Sequence, residues 1–441
     1  AAFERQLRSA RQMAAEAARM AATLPYEASR PERARVWRLQ SRARDTQEQA
    51  AWHLGQAIEA LHRAQSDPDH AADAREALAR LHRDAWRAAD ELGNTVSAAY
   101  HRARAETYDD GPLATELAGR ATLTVNTEPP GMTVDFSACD DRGAVFSLGA
   151  QVRVGQTPLS GRTVSASRLL LRLRSDDGLS VRLPLRLRPG ETRAVDLTVP
   201  KSAQVPPGFV FVPGGRFLLG FDDDAPGASE PTDLDVGSFC ISRQPVTWEQ
   251  YFEFIEDLLA VDADATPHLP RLRDNLMVTV EDRRLTWRPN VYAPRGAPIR
   301  FVSHADANAY AEWLGRRLGV ALRLPTEVEW EYAAGGADGR ALPWGDRFVP
   351  GLADTRRRGG RGPSPVAAFA DDESPFGMRC VAGGVREWTS TQSDEHGRFL
   401  LRGGSWRAWP DHCRVCARAT GAADLTHQAI GIRLAADVPV D

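Results

Sequence analysis

Two cysteines near the carboxy terminus are the first candidates for chemistry. The segment LLRGGSWRAWPDHCRVCARAT, residues 400–420, contains Cys413 and Cys416 in a CxxC pattern, directly after His412. CxxC is half of a zinc site and is also the spacing of redox-active pairs. A second CxxC or an HxxxH, which would close a four-ligand zinc site, does not accompany it. If the chain continued as a strand over 413–416, the two side chains would point to opposite faces. We therefore favour two cysteines packed as small apolar side chains, and interpret His412 as a loop residue.

The composition is typical of a globular protein with more than one domain. A length of 441 residues exceeds one ordinary core, so two or three domains are expected. The net charge of −4 provides no overall field for nucleic acid. The run Arg356, Arg357 and Arg358 is interpreted as a solvated loop and not as a phosphate site. Five cysteines without regular spacing do not suggest a disulfide scaffold, and they fit a reducing cytosol.

The sequence predicts neither a membrane-spanning segment nor a signal peptide. Its apolar runs fall short of the roughly 18–20 residues that cross a bilayer, and residues 1–30 are charged throughout. Because Ala1 is not a natural start, we expect a fragment of a longer protein. A cytoplasmic location is expected, or an extracytoplasmic one if a membrane segment lies upstream.

Residues 1–112 are predicted to form an α-helical bundle or hairpin. Pro31 can open a helix at its first turn, the run SDPDH at 66–70 breaks it, and a further helical stretch is predicted to about residue 107. Before them, apolar residues spaced by four and three form one stripe along a helix. The stripe comprises Phe3, Leu7, Ala10, Ala14, Ala17, Ala21 and Leu24. It could pair within the chain or between chains, so an oligomer is one expectation.

Residues 118–200 change to period-two alternation between Gly/Pro turns, which predicts a small antiparallel β-sandwich. Leu123 and Val125 fall on one face of its first strand. The segments EPPGMTV and GQTPL resemble a PEGA domain, with Pro130-Gly131 as the turn. The second motif comprises Gly155, Thr157 and Pro158. The resemblance implies a β module without chemistry of its own, followed by a linker at 200–208.

Residues 208–437 combine short helices and strands and contain motifs in a recognisable order. FVSHADANAYAEWLGRRLG predicts a helix with Ala305, Ala309, Trp313 and Leu314 facing inward. In RLPTEVEWEYAAGG, Thr326 lies three residues before Glu329, which is the spacing of a capping box. The other motifs are FVPGGRFLLG (211–220), ISRQPVTWEQYFEF (241–254), PWGDRF (343–348), SPFGMRCVAGGVREWT (374–389), LRGGSW (401–406) and GIR (431–433).

This set of motifs resembles the formylglycine-generating-enzyme, or sulfatase-modifying factor, family. The resemblance implies an α+β variant of the C-type lectin fold. The order of helical segment, PEGA-like module and this domain is also similar to the carboxy-terminal half of certain bacterial serine/threonine kinases. The chain itself contains no kinase motif, so a kinase domain would lie upstream of Ala1. The resemblance implies structural roles for Trp344, Glu387, Trp388, Ser405, Trp406, Arg418 and Arg433.

The resemblance implies copper chemistry only if two cysteines are present. The family's oxidising enzymes hold Cu(I) between two cysteines that follow the GGSY/GGSW motif, five residues apart, because soft thiolates suit that ion. In this chain the first of them corresponds to Ala408 and the second to Cys413. The sequence therefore predicts loss of the copper site. A metal-dependent oxidase using Cys413 and Cys416 stays open as an alternative.

Two further metals of the family are weighed in the same way. The structural calcium would use the carbonyls of Gly383 and Val385 and the Glu387 carboxylate, but the family's Asp or Asn ligand is here Cys380. Since calcium needs hard oxygen ligands, a weak or absent site is expected.

A second calcium site of the family, near PWGD, could use Asp354. The iron-dependent branch has an HxxxHxE motif, which the histidines of the helical region do not form; these are His53, His62, His70, His82 and His101.

The residues after the GGSW motif are therefore predicted to form a recognition surface. Aromatic and charged residues alternate there, a composition typical of binding hot spots. The binding candidates are Arg407, Trp409, Asp411, His412 and Arg414.

The favoured interpretation is a non-catalytic binding and regulatory region of a signalling kinase. The expected partner is a protein or small ligand at this carboxy-terminal face, with no cofactor other than a weak calcium and no nucleic acid. A variable display protein of a diversity-generating retroelement stays open, as does an adaptor or protease substrate in a defence pathway.

Overall fold

The computed structural model describes residues 30–91, 94–140, 143–261, 263–356 and 360–438, with isolated residues between 6 and 20. Two compact units are distinguished. One contains the helical residues up to Thr122 with Thr163–Ala166 and Arg188–Thr192; the other contains Leu123–Arg162, Ser167–Leu187 and the chain from Arg193 onward. The domain limits expected from the sequence, 1–112, 118–200 and 208–437, stay predictions. The helices of the described residues lack the length and apolar character that crossing a membrane requires.

The first unit is helical, as predicted. Its helices are α1 (Arg30–Gln65), α2 (Ala71–Glu91), α3 (Thr95–Tyr108) and α4 (Ala114–Leu117). The expectation of one continuous helix to residue 107 is wrong, because the Asn94 side chain accepts a hydrogen bond from the Ser97 amide at 3.1 Å and begins α3 as an N-cap. Of the amino-terminal stripe, Ala10 and Ala17 are buried. The other stripe residues, Phe3, Leu7, Ala14, Ala21 and Leu24, lie outside the described residues.

A histidine pair lies in the core between α2 and α3. His82 is 1% exposed, and its Nδ1 lies 2.9 Å from Nδ1 of His101. Its ring stacks on Tyr108 at a centroid distance of 5.8 Å. Burial, together with the nearby charges of His101, Arg104 and His62, lowers the pKa of His82 to about 4. The folded state therefore keeps His82 neutral.

This neutral histidine makes the stability of the chain depend on pH. The folded pKa lies below the ordinary value of 6.5, so acidification protonates the unfolded state first. The contribution of His82 to stability is complete above pH 6.5 and is lost as the pH drops toward 4, by on the order of 2 kcal/mol. We expect His82→Phe to flatten this dependence in urea unfolding followed by circular dichroism. The exposed His70→Phe is the control, and equal slopes for wild type and His82→Phe would contradict the assignment.

Residues 120–198 form two sheets, as the period-two alternation predicts. The strands are β1 (Arg120–Glu128), β2 (Thr133–Asp140), β3 (Ser147–Leu148), β4 (Val152–Gln156), β5 (Leu159–Ser165), β6 (Arg168–Arg174), β7 (Ser180–Arg186) and β8 (Thr192–Thr198). One sheet has the order β5–β1–β8, and the other has the order β3–β2–β6–β7 with β4 also paired to β2. Leu123 and Val125 are buried as predicted. The resemblance to a PEGA domain stays a prediction.

The sheet that contains β2 is antiparallel throughout. In the other sheet β1 and β8 run parallel, since the Thr122 amide donates to the Glu191 carbonyl at one end. At the other end the Val199 amide donates to the Glu128 carbonyl. The expectation of a wholly antiparallel arrangement is therefore wrong in part.

The remaining chain is the α+β region expected from the motifs. Its helices are α5 (Trp248–Ala260), α6 (His304–Leu318) and α7 (Glu327–Gly335). Its first strands are β9 (Phe209–Val212), β10 (Gly215–Leu219), β11 (Thr232–Val236), β12 (Phe239–Ser242), β13 (Arg271–Leu272), β14 (Asn275–Leu276), β15 (Val278–Glu281) and β16 (Arg284–Trp287). Its last strands are β17 (Leu322–Arg323), β18 (Arg386–Gln392), β19 (Arg398–Arg402), β20 (Arg418–Ala422), β21 (Ile430–Gly431) and β22 (Ala435–Asp437). The two four-stranded sheets have the orders β17–β22–β12–β9 and β20–β19–β18–β21.

Local sequence signals begin the helices of this region. The predicted capping box of α7 is confirmed, since Thr326 and Glu329 exchange side-chain and backbone hydrogen bonds. The predicted inner face of α6 is wrong in part. Trp313 is buried, but Ala305 is exposed, and the buried side of the helix is formed by Ala307, Tyr310 and Ala311. The helix begins at the Ser303 N-cap, whose side chain accepts from the Asp306 amide.

Candidate functional site

The LRGGSW motif begins in β19 and precedes the segment to which the family resemblance assigns the copper cysteines. Its glycines are needed for close approach, because a Cβ on Gly404 would lie 1.9 Å from the Ala382 carbonyl oxygen. The next residues turn back, with the Ala408 amide donating to the Ser405 carbonyl at 2.8 Å. A 3₁₀ turn, Pro410–Cys413, then carries the chain inward. This turn brings Ala408 and Cys413 together.

Ala408 and Cys413 lie in one apolar cluster. Its other buried members are Leu342, Trp344, Ala353 and Ala382. Cys413 is 1% exposed, and its Sγ donates a hydrogen bond to the Trp409 carbonyl at 3.3 Å. Burial raises the pKa of its thiol to about 12. The two positions that the resemblance assigns to the copper pair thus offer one protonated thiol and a methyl group, and these residues do not fit two-coordinate Cu(I).

Cys416 does not replace the missing thiolate. It is buried in a different cluster, with Ala225 and Ala417, and its Sγ lies 3.4 Å from Glu331 Oε1. The segment 413–416 is not a strand, because it follows a 3₁₀ turn and β20 begins only at Arg418. The assumption of a strand over 413–416 is therefore wrong. The predicted separation of the two side chains is nevertheless observed, since the two thiols pack in separate clusters. Burial also raises the pKa of the Cys416 thiol.

The Glu387 carboxylate is engaged by an arginine. Both side chains of the Glu387–Arg433 pair are fully buried. Arg433 Nε donates to Oε2 at 2.7 Å and Nη2 donates to Oε1 at 2.8 Å, a bidentate pair. The Trp330 indole donates to Oε2 at 2.5 Å. The same guanidinium donates to the carbonyls of Ser242 at 2.7 Å and Arg379 at 2.6 Å.

These contacts do not fit the family's calcium site. The carboxylate that would bind the cation already accepts two hydrogen bonds from Arg433. At the position of the Asp or Asn ligand, the Cys380 thiol is buried and donates to the Val366 carbonyl at 3.3 Å. Gly383 and Val385 are buried beside them. A guanidinium therefore supplies the positive charge that faces Glu387.

The contacts of Asp354 do not favour the second calcium site that was predicted near PWGD. Asp354 Oδ2 accepts a hydrogen bond from the Ser364 amide at 2.6 Å. It borders a cavity of about 10 Å³ together with Asp372 and Cys380, which is room for about one water. Within the described part of the chain, no group of three or more His, Cys, Asp or Glu side chains is arranged to hold a metal ion.

The buried pair leads to a stability prediction. Arg433→Met would leave Glu387 buried without a cation, which costs about 3–5 kcal/mol. The double variant Glu387→Gln/Arg433→Met buries no charge. It should therefore recover part of the free energy of unfolding that Arg433→Met loses. Urea unfolding of the three proteins tests this, with calcium added or chelated. A wild-type protein that gains stability with calcium, or a double variant less stable than Arg433→Met, would contradict the assignment.

Four of the predicted binding residues lie on one exposed loop. Arg407, Trp409, Asp411 and His412 are exposed, and Trp409 retains 59% of its surface. The guanidinium of Arg356 lies 4.3 Å from the Trp409 ring centroid, and the Arg356 amide donates to the Ala408 carbonyl at 3.2 Å. Sequence reasoning could not join Arg356 to this loop, because about fifty residues separate them. The arginine run was interpreted as solvated loop; Arg356 is exposed, and Arg357 and Arg358 lie outside the described residues.

The remaining predicted residues are less exposed than those of the loop. Arg414 forms an ion pair with Asp222, with Nε–Oδ2 and Nη2–Oδ1 distances of 2.6 and 2.8 Å. Arg418 is partly buried and donates to the Gly227 carbonyl at 2.5 Å. The buried residues of the family motifs are Trp344, Trp388, Ser405 and Trp406. Arg414 and Arg418 therefore tie the segment 222–227 to the carboxy-terminal face.

Comparisons with known proteins identify the class. The family model of the sulfatase-modifying factor enzyme 1-like domain matches residues 196–438, more than half of the chain. The chain belongs to this family.

Its curated relatives include inactive and active proteins. It is 34% identical to the mouse inactive C-alpha-formylglycine-generating enzyme 2, over 52% of this chain and 85% of that protein. It is 30% identical to the formylglycine-generating enzyme of Mycobacterium tuberculosis, over 52% of this chain and 97% of that enzyme. It is 27% identical to the serine/threonine-protein kinase pkn1 of Chlamydia pneumoniae, over 54% of this chain and 39% of that kinase.

Proposed function

We propose that this chain is a non-catalytic binding and regulatory region, which binds a protein partner at the carboxy-terminal face. The observation on which the proposal rests is the apolar packing of Ala408 against Cys413 in the position of the copper pair. One buried, protonated thiol cannot provide two thiolates. The likeness to an inactive formylglycine-generating enzyme supports the same view.

The exposed loop supports a role in recognition. A stacked arginine–tryptophan pair presents a rigid aromatic surface and guanidinium donors that stay available, which is the composition of interface hot spots. The loop is fixed to the buried core at both ends, since Trp406 before it and Cys413 after it are buried. A partner would thus meet a surface that loses little conformational freedom on binding.

We further propose that the region regulates a signalling kinase. The likeness to the Chlamydia kinase, whose length this chain covers to 39%, supports this context. The kinase domain itself would lie in another part of the protein.

The catalytic half of the proposal is tested with copper, oxygen and a peptide bearing the sulfatase-type CxPxR motif. Mass spectrometry should show no loss of the cysteine thiol and no aldehyde in the wild-type reaction. Ala408→Cys restores the missing thiol beside Cys413, so this variant should bind Cu(I) when the wild type does not. Aldehyde formation by the wild-type protein would overturn the proposal.

The binding half is tested by a photo-crosslinking amino acid at position 409 in the native cell. A specific partner should be crosslinked from position 409 and lost when Arg407→Glu reverses the neighbouring charge. The exposed Leu272 is the matched control position. Crosslinks that are equal at 409 and 272, or that survive Arg407→Glu, would count against this surface.

A further inference from the structure

A row of charged side chains crosses four strands of the β region. In the antiparallel register Arg153 pairs with Asp135, Asp135 with Arg172, and Arg172 with Arg182, on strands β4, β2, β6 and β7. Residues that pair directly across antiparallel strands lie on the same face. These four side chains therefore form one continuous row.

At one end of the row, three arginines surround a single carboxylate. Asp135 is 2% exposed, and its Oδ1 accepts from Arg153 Nε at 3.3 Å. Its Oδ2 accepts from Arg174 and from Gln151 Nε2, the latter at 2.8 Å. Arg172 Nη1 donates to Gln151 Oε1 at 3.3 Å instead of to the carboxylate. This end has two positive charges more than Asp135 neutralises.

The other end repeats the arrangement around Glu373. Its carboxylate accepts from Arg182 Nη1 at 2.5 Å, from Arg243 Nη2 at 2.9 Å and from Arg379 Nε at 2.7 Å. Burial acts to raise the pKa of Glu373, but the hydrogen bonds from Arg379 and Arg182 outweigh it and the pKa is lowered. Glu373 is thus ionised at neutral pH, and two positive charges again exceed it.

The surplus cations are accessible and close together. The side chains of Arg153, Arg174 and Arg243 are 67%, 46% and 43% exposed. Burial lowers the pKa of Arg172, and the charge of Arg182 lowers it further, as crowding of cations requires. The chain as a whole has a net charge of −4, so this positive surplus is local.

We propose that this arginine row binds an anionic ligand with two phosphate groups. The arginine row comprises the register members Arg153, Arg172 and Arg182 together with Arg174, Arg243 and Arg379, which share their carboxylate partners. A phosphate monoester near pH 7 has close to two negative charges, which matches the surplus at each end, and guanidinium forks bind phosphate oxygens in pairs. Strand spacing places Asp135 and Arg182 roughly 10 Å apart, which sets the separation of the two phosphates.

The row is independent of the loop proposed above for partner binding. None of the six arginines is among the residues of the exposed loop, and the acidic partners of the row, Asp135 and Glu373, are not either. A failure of the arginine row would leave the proposed function unchanged, and the reverse also holds.

The binding test uses calorimetry on the full chain at low salt. The first probe is a proline-rich peptide with two phosphoserines three residues apart, which polyproline II geometry places on one face and roughly 9 Å apart. It should bind at least about tenfold more tightly than the singly phosphorylated peptide, because only the former contacts both ends. Linear inorganic polyphosphate distinguishes the source of the phosphates: tighter binding of the peptide indicates a phosphorylated protein, and tighter binding of polyphosphate indicates a free polyanion.

Two matched double variants locate the site. Arg153→Gln/Arg174→Gln removes two exposed charges from the row and should weaken the preferred probe about tenfold or more. Arg216→Gln/Arg295→Gln removes two exposed charges elsewhere and should leave its affinity unchanged. Melting temperatures verify folding; if the first variant is unstable, Arg243→Gln at the other end takes its place. No binding by the wild type, equal affinity for one and two phosphates, or equal losses in both double variants would overturn the proposal.

Discussion

The carboxy-terminal region depends on the buried ion pair between Glu387 and Arg433. Removing both charges from water is costly, so the pair is tolerated only because every side of it is hydrogen-bonded. Arg433 joins the sheet that contains β12 to the sheet that contains β18, through the Ser242 carbonyl and Glu387. Helix α7 completes the arrangement: Trp330 donates to Glu387, and the adjacent Glu331 pairs with the buried Arg402. One short helix thereby holds both buried ion pairs.

If the proposed function holds, this frame explains how a chain of an enzyme family keeps its fold without the family's chemistry. The fold requires a cation beside the buried Glu387, which Arg433 provides. It also requires close backbone approach at the LRGGSW motif, which Gly404 allows. Catalysis needs two thiolates, and Ala408 supplies none. The absence of a thiol at position 408 would therefore affect the reaction alone. The exposed loop of Arg407 and Trp409 stays attached to the packed core.

The sequence allowed prediction of features that depend on local signals. The capping box at Thr326, the alternation at Leu123 and Val125, and the ordered motifs of residues 208–437 all rest on neighbours within a few residues. The missing copper ligand could also be predicted, because its position is counted from an adjacent motif.

Features that depend on distant pairing could not be predicted. Arg356 meets Trp409 only through the turn of the fold, and the division of the last amino-terminal helix required the cap at Asn94 to be recognised. The β region was expected to have no chemistry of its own, since its sequence shows no polar cluster. Asp135, Arg153 and Arg182 become neighbours only through the strand register.

The central claim is that this family member lacks the two thiolates that hold copper. The most direct test is the copper content of the purified chain after equilibration with Cu(I) under reducing conditions and removal of weakly bound metal. The account predicts no stoichiometric copper in the wild-type protein. One tightly held copper per chain, lost on Cys413→Ser, would contradict it.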